Sequence, residues 1–527
     1  MSVSAAPYQS EHFAISREAV SGRNGVVASQ HHLASQAGVD VLEAGGNAVD
    51  AAVAAALVLG VVEPWMSGIG GGGFMLVGEA ETGRVHEVDF GMVAPRGIDP
   101  DQYAIVEGSS GHDALFSWPR VIEDRNQIGP HSVAVPGAVA GLSAAVERFG
   151  SMPWADLVAP AANLATRGLP VTWSVTLEIA AGAATLRMFD SSRAIYLPDD
   201  LPPVAAEAHR PIWLAMGRLS GTLERLAEAG PRDFYEGEIA NALVRDMQAA
   251  GGVMTAADLA AYQARIRPAR AILHRGDVIH LTEANSGAPT FARAMAHAAR
   301  RLDPAHGLTA ATYLAWAEAL SEAFEHRLAE LGHAGDMASR KACTTHLSVV
   351  DRHGNMVALT NTLLESFGSR LVLPETGVLM NNGIFWFDPR AGRPNSLSPG
   401  KRPLANMCPV LATRDGKPWF ALGAAGGRRI VPATFQLTSL LTDFGLSLNE
   451  AFQVPRLDAS GEDGILADQR LNPAILAALG ERYDVTVTYD SVGMDEFAKP
   501  QAVSQKDGMQ WGAVAPALPV AKAIAAK

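Results

Sequence analysis

The chain has 527 residues and a formal net charge of −13, with 48% hydrophobic and 18% charged residues. That composition suits a globular protein with an ample core, and the acidic balance argues against nucleic acid or an anionic membrane as the main partner. Its two cysteines, Cys343 and Cys408, exclude a disulfide framework.

Residues 1–23 hold Ser, Gln, Glu and His but no apolar core, so they do not read as a secretion signal, and a cytoplasmic protein is expected. A helical pattern over 36–44 closes at Gly45-Gly46. Asn47 then caps a second helix, with Asp50 in capping-box position. The apolar run 51–62 is too short to cross a bilayer and reads as a buried helix ending near Gly60. Gly68, Gly70 and Gly73 have the spacing of a dinucleotide fingerprint, but a helix precedes them and a strand follows, the reverse of that motif. A tight turn with close backbone approach is expected instead.

From Pro136 to Glu330 the pattern reads as mostly helical, with helices at 139–149, 154–166, 239–250 and 309–331. Thr255 and Asp258 form a further capping-box pair, and 197–203 reads as a surface loop. The character changes at Thr344. Strands are expected at 344–350, 356–363, 377–380, 407–412, 419–422 and 485–488, with helices at 432–444 and 473–479.

The first two of these strands flank Asp351-Arg352-His353-Gly354-Asn355, a hairpin signal. If Val350 pairs with Met356, Thr344 lies opposite Thr362, with Cβ atoms about 4.5–5.5 Å apart. His346 falls on the same face as Thr344 and is expected to be a satisfied core histidine rather than a base. No zinc- or calcium-type pattern is present, so neither a metal nor a cofactor is expected.

Seven motifs in order carry a family resemblance. They are Gly45-Gly46-Asn47-Ala48-Val49-Asp50-Ala51-Ala52, Ser67-Gly68-Ile69-Gly70-Gly71-Gly72-Gly73-Phe74, Val135-Pro136-Gly137-Ala138-Val139-Ala140-Gly141-Leu142, Thr344-Thr345-His346, Asn381-Asn382, Lys401-Arg402-Pro403-Leu404 and Gly423-Ala424-Ala425-Gly426-Gly427. Together they resemble the gamma-glutamyltransferase family of N-terminal-nucleophile hydrolases, over nearly the whole chain.

The resemblance implies an α+β fold, a four-layer αββα sandwich formed jointly by two self-cleaved subunits. The large subunit would be 1–343 and the small one 344–527, a heterodimer of cleavage fragments that together make one structural domain. Cleavage between Cys343 and Thr344 gives Thr344 a free α-amine with a reference pKa of about 7.7–8.0, a base suited to activating its own hydroxyl. Thr362 is then the orienting hydroxyl. Gly426 and Gly427 match the family's oxyanion-hole glycines, where the lack of a Cβ lets the backbone approach the substrate.

The chain departs from the family where γ-glutamyl groups are held. Gly91 stands for the expected arginine, Leu364 for an asparagine, Gly383 and Trp386 for a glutamine and an aspartate, and Ala405-Asn406 for a serine pair. A zwitterionic γ-glutamyl group would leave its charges unpaired there. Arg370, Arg428 and Arg429 offer guanidiniums for another carboxylate. With Leu364, Trp386 and Asn406 they are the candidate substrate contacts. The expected substrate is a small carboxylate-bearing amide, with oxamate leading on resemblance. A γ-glutamyltransferase or glutathione hydrolase, an acylase for larger amides, and a non-catalytic binding protein are the alternatives.

Overall fold

A computed structural model describes residues 3–5, 13, 15–109, 118–205, 207, 210, 212–283, 285–330, 342–461, 464–492 and 496–527. Strand Ala342–Asp351, whose Leu347, Val349 and Val350 are buried, pairs on one side with Gly25–Ser29 and on the other with Met356–Glu365. The first sheet runs, edge to edge, through Lys522–Ala525, Gly25–Ser29, Ala342–Asp351, Met356–Glu365, Gly72–Gly78, Val85–Phe90 and Arg265–Pro268. The second runs through Val20–Gly22, Met509–Val514, Lys499–Lys506, Lys417–Ala425, Val410–Arg414, Asp277–Leu281 and Arg270–His274. All pairings within both sheets are antiparallel.

The sheets pack face to face, with Ala342–Asp351 against Lys417–Ala425 and Lys499–Lys506. Helices His32–Glu43 and Ala48–Val62 cover the first sheet, while Ile430–Thr442 lies on the second and shares its buried core with Ala288–Ala298 and Ala310–Glu330. This is the four-layer αββα sandwich. Ala48–Val62 is apolar all round because helices lie on one side of it and the hairpin of Ala342–Asp351 and Met356–Glu365 on the other. Its capping box at Asn47 and Asp50 forms, as does the one at Thr255 and Asp258. Among the described residues no helix is long and apolar enough to cross a membrane.

Two sequence expectations need correction. The stretch read as mostly helical also contains strands Arg265–Pro268 and Arg270–His274, largely exposed and holding arginines, and the short strand Asp277–Leu281, whose Ile279 and Leu281 are buried. The strand expected at 377–380 is reduced to an isolated bridge between Val372 and Leu379, because Gly377 turns the chain at φ 69°.

Candidate active site

The hairpin holds the expected register from Val350 opposite Met356 as far as Thr345 opposite Asn361. A bulge then intervenes, and Cys343 faces Leu364. Thr362 and Leu363 of the second strand stand there against the single residue Thr344, a bulge of the kind that re-aims side chains beside active sites. Its Oγ1 donates to the Cys343 carbonyl at 2.8 Å and lies 3.3 Å from Thr362 Oγ1. The Thr362 hydroxyl also donates to the Cys343 carbonyl and accepts from the Leu364 amide at 2.8 Å. Both threonines are buried.

Three elements hold this hairpin end. The glycine run 68–73 lies so close that a Cβ on Gly71 would fall 2.3 Å from the Thr362 carbonyl oxygen, and one on Gly73 would fall 2.0 Å from that of Thr360. Asn381 ties the run down, donating to the Gly70 carbonyl at 2.7 Å. The turn after Ala48–Val62 grips both strands: Ser67 Oγ meets Thr345 Oγ1 at 2.8 Å, and the Met66 and Trp65 carbonyls accept from the Leu363 and Phe367 amides.

Gly426, at φ 133°, and Gly427, at φ 59°, link strand Lys417–Ala425 to the 13-residue helix Ile430–Thr442. Gly426 and Cys343 line one cavity. The helix N-terminus behind the glycines contributes a positive field favourable to a developing oxyanion.

The side chains of the six expected substrate contacts are engaged within the protein. Arg370 donates to Glu365 at 3.1 Å and to the Gln127 carbonyl. Arg429 faces Asp458 at 3.6 Å and Glu496 at 3.9 Å, and Arg428 is buried near Arg327. Leu364 and Trp386 pack with Phe74, Met92 and Ala405 in an apolar cluster. Asn406 accepts from Arg327 at 3.0 Å. None of the six lines the cavity of Cys343 and Gly426.

His346 is fully buried between Thr360 and Ser348, each at 2.9 Å, and burial pushes its pKa down to about 3. It is a neutral core histidine. Cys408, also buried, has its thiol pushed up to about 12, mainly by burial, and is inert.

Sequence reading passed over the rest of the cavity wall: Glu63, Trp65, Met66, Glu178, Phe497 and Lys499 are among its lining residues. Glu63 is 4% exposed, and burial, reinforced by Glu178, raises its carboxyl to about 8. Gln30, with its amide nitrogen turned toward its acceptors, donates to Glu63 Oε2 and to the Thr344 carbonyl, each at 3.3 Å. A glutamate closing a long apolar run was the one available signal.

The family model described as Gamma-glutamyltranspeptidase matches residues 34–342 and 333–517. The glutathione hydrolase proenzyme of Escherichia coli (strain K12) is 31% identical, with 83% of this chain and 81% of the relative covered. The acylase ACY 1 proenzyme of Pseudomonas sp. (strain SE83) is 32% identical, with 88% and 87% covered. A cephalosporin acylase from Bacillus halodurans shares the fold, with a TM-score of 0.84 at 24% identity, covering 99% of this chain and 98% of that one.

Proposed function

The chain belongs to the gamma-glutamyltranspeptidase family of N-terminal-nucleophile hydrolases, enzymes that act on amide bonds, and from that membership we propose that it is an autoprocessing acylase with Thr344 as nucleophile. Maturation begins when Thr344 Oγ1 attacks the Cys343 carbonyl carbon. The C–N bond breaks, an ester forms, and the Thr344 nitrogen becomes a free amine. Water then hydrolyses the ester and leaves Cys343 with a carboxylate. Thr362, donating to that carbonyl, stabilises the oxyanion of this step.

In the mature enzyme the α-amine accepts the hydroxyl proton as Oγ1 attacks a substrate amide, and it returns a proton to the leaving amine. Water attacks the acyl-enzyme in the second half. The Gly426 and Gly427 amides are the donors proposed for the tetrahedral oxyanions.

One observation carries the choice of acylase over glutathione hydrolase. Leu364, Trp386 and Ala405, at positions where γ-glutamyl contacts are expected, pack into an apolar cluster instead of offering polar groups. Oxamate would need a carboxylate receptor, yet Arg370 and Arg429 already face Glu365, Asp458 and Glu496. The relatives named glutathione hydrolase and acylase lend oxamate no support.

Purified protein tests this reading on a panel of phenylacetyl-, glutaryl- and γ-glutamyl-p-nitroanilide, together with oxamate. Faster release of p-nitroaniline from a non-glutamyl amide is the expected result. Turnover confined to the γ-glutamyl compound would make it a glutathione hydrolase, and ammonia from oxamate alone would restore the small-amide reading.

A further inference from the structure

In the uncut chain Cys343 is the acyl half of the bond that Thr344 attacks on this reading, and it shares a cavity with Gly426, a proposed oxyanion donor. The cavity lined by Cys343 and Gly426 therefore lies on the acyl side of the nucleophile. Its wall is largely apolar, formed by Trp65, Met66, Phe497, Leu518 and Val520, and Glu63 lies within that wall. The carboxyl is nearly buried, its Oε2 reaches Gln30, and Gln30 reaches the Thr344 carbonyl. The same turn carries Ser67, which holds Thr345.

We propose that Glu63 is a specificity-determining residue, presenting a hydrogen-bonding carboxyl to the acyl chain of the substrate while Gln30 fixes it relative to Thr344. This rests on the reading of Thr344 as nucleophile. Glu178 from helix Trp173–Leu186 faces Glu63, and Lys499, ion-paired with Asp490, lines the same cavity. Burial first, and Glu178 second, raise the Glu63 carboxyl to about 8, so near neutral pH it keeps its proton and donates an O–H. The ligand it suits is an apolar acyl chain bearing a neutral acceptor oxygen, such as a second amide carbonyl, several bonds from the scissile bond. A carboxylate at that position would face Glu178.

Two p-nitroanilides of equal chain length test this, N-acetyl-4-aminobutyryl and heptanoyl, assayed from pH 6 to 10 with wild type, Glu63→Gln and Glu63→Ala. Mass spectra of each protein establish processing first. Wild type should favour the acetylamino compound by about tenfold or more in kcat/KM, mainly through KM, because a site built to hydrogen-bond rejects the analogue that lacks the partner. The preference should fade above pH 8. Glu63→Gln should keep the preference and lose its pH dependence, and Glu63→Ala should bring the ratio near one with kcat little changed.

A wild-type ratio near one, or a ratio unchanged in Glu63→Ala, overturns the assignment while the acylase reading stands. If Glu63→Ala fails to process, Glu63→Gln decides: a flat pH dependence supports the proposal, and a dependence like wild type overturns it. Turnover of γ-glutamyl-p-nitroanilide with neither test compound overturns both this assignment and the acylase reading, and an active chain left uncut overturns the nucleophile itself.

Discussion

The Thr362 hydroxyl donates to the Cys343 carbonyl, the group that Thr344 attacks in the proposed maturation. On that reading one side chain polarises the electrophile and stands 3.3 Å from the attacking Thr344 oxygen. Thr362→Val keeps the shape and removes the donor. Loss of one oxyanion donor slows such reactions by about 10²–10³-fold, and a time course of fragment appearance by mass spectrometry should show a delay of that order. Processing at the wild-type rate would deny Thr362 this part.

Thr344→Ala removes the attacking oxygen and should leave one chain of 55.4 kDa. Wild type should give two fragments with the new N-terminus at Thr344, readable by N-terminal sequencing. Fragments from the alanine variant at the same site would mean that another group makes the cut.

Gly71→Ala sets a Cβ against the Thr362 carbonyl oxygen, a backbone atom that cannot swing aside. Overpacking of this kind costs about 1–3 kcal/mol, and here the strain falls on the catalytic strand, so the melting temperature and the processing rate should drop together. Gly221→Ala is the control. That glycine sits in helix Leu219–Ala229 with open space where a Cβ would go, so the change should be neutral or stabilising by about 0.4–1 kcal/mol. Equal melting shifts for the two variants would contradict the close approach at Gly71.

His346 has its pKa lowered to about 3 by burial, against an ordinary value near 6.5. Between those values the unfolded chain binds a proton that the folded chain does not, so stability rises with pH through this window. The contribution is whole above pH 6.5 and declines as pH falls toward 3, by about 1.4 kcal/mol per pH unit. His346→Gln should show a shallower loss of stability in urea titrations between pH 6.5 and 4. The acidic limb of its kcat profile should stay in the range of the Thr344 amine, about 7.7–8.0 in reference peptides. A limb displaced by the substitution would make His346 a participant in proton transfer.

The hairpin was legible because β-branched alternation and a Gly/Asn/Asp connection set its register from the turn outward, as seen from Val350 and Met356 to Thr345 and Asn361. The bulge that sets Thr362 and Leu363 against Thr344 was not, since no residue preference marks one extra residue in a strand. Strands Arg265–Pro268 and Arg270–His274 escaped notice because their exposed faces carry arginines in place of an apolar stripe. Glu63, Glu178, Phe497 and Lys499 converge on one cavity from three distant segments, and local periodicity says nothing about such convergence. The apolar helix before Glu63 hid it further, because its hydrophobicity reads as core and the residue after it as a simple end.

Strand Gly25–Ser29 lies between Lys522–Ala525 and Ala342–Asp351, while Met356–Glu365 is clasped by Gly72–Gly78. A cut before Thr344 would therefore leave two polypeptides threaded through one another's ladders, neither with a complete sheet of its own. Assembly would belong to the single chain, where every strand is tethered to its neighbour at high effective concentration. Once melted, the cut protein would have to find its counterpart by collision, so recovery on cooling should depend on dilution in a way that the uncut Thr344→Ala chain does not. The nick would turn a unimolecular folding problem into a second-order one, and the native state would then endure by its slowness to come apart.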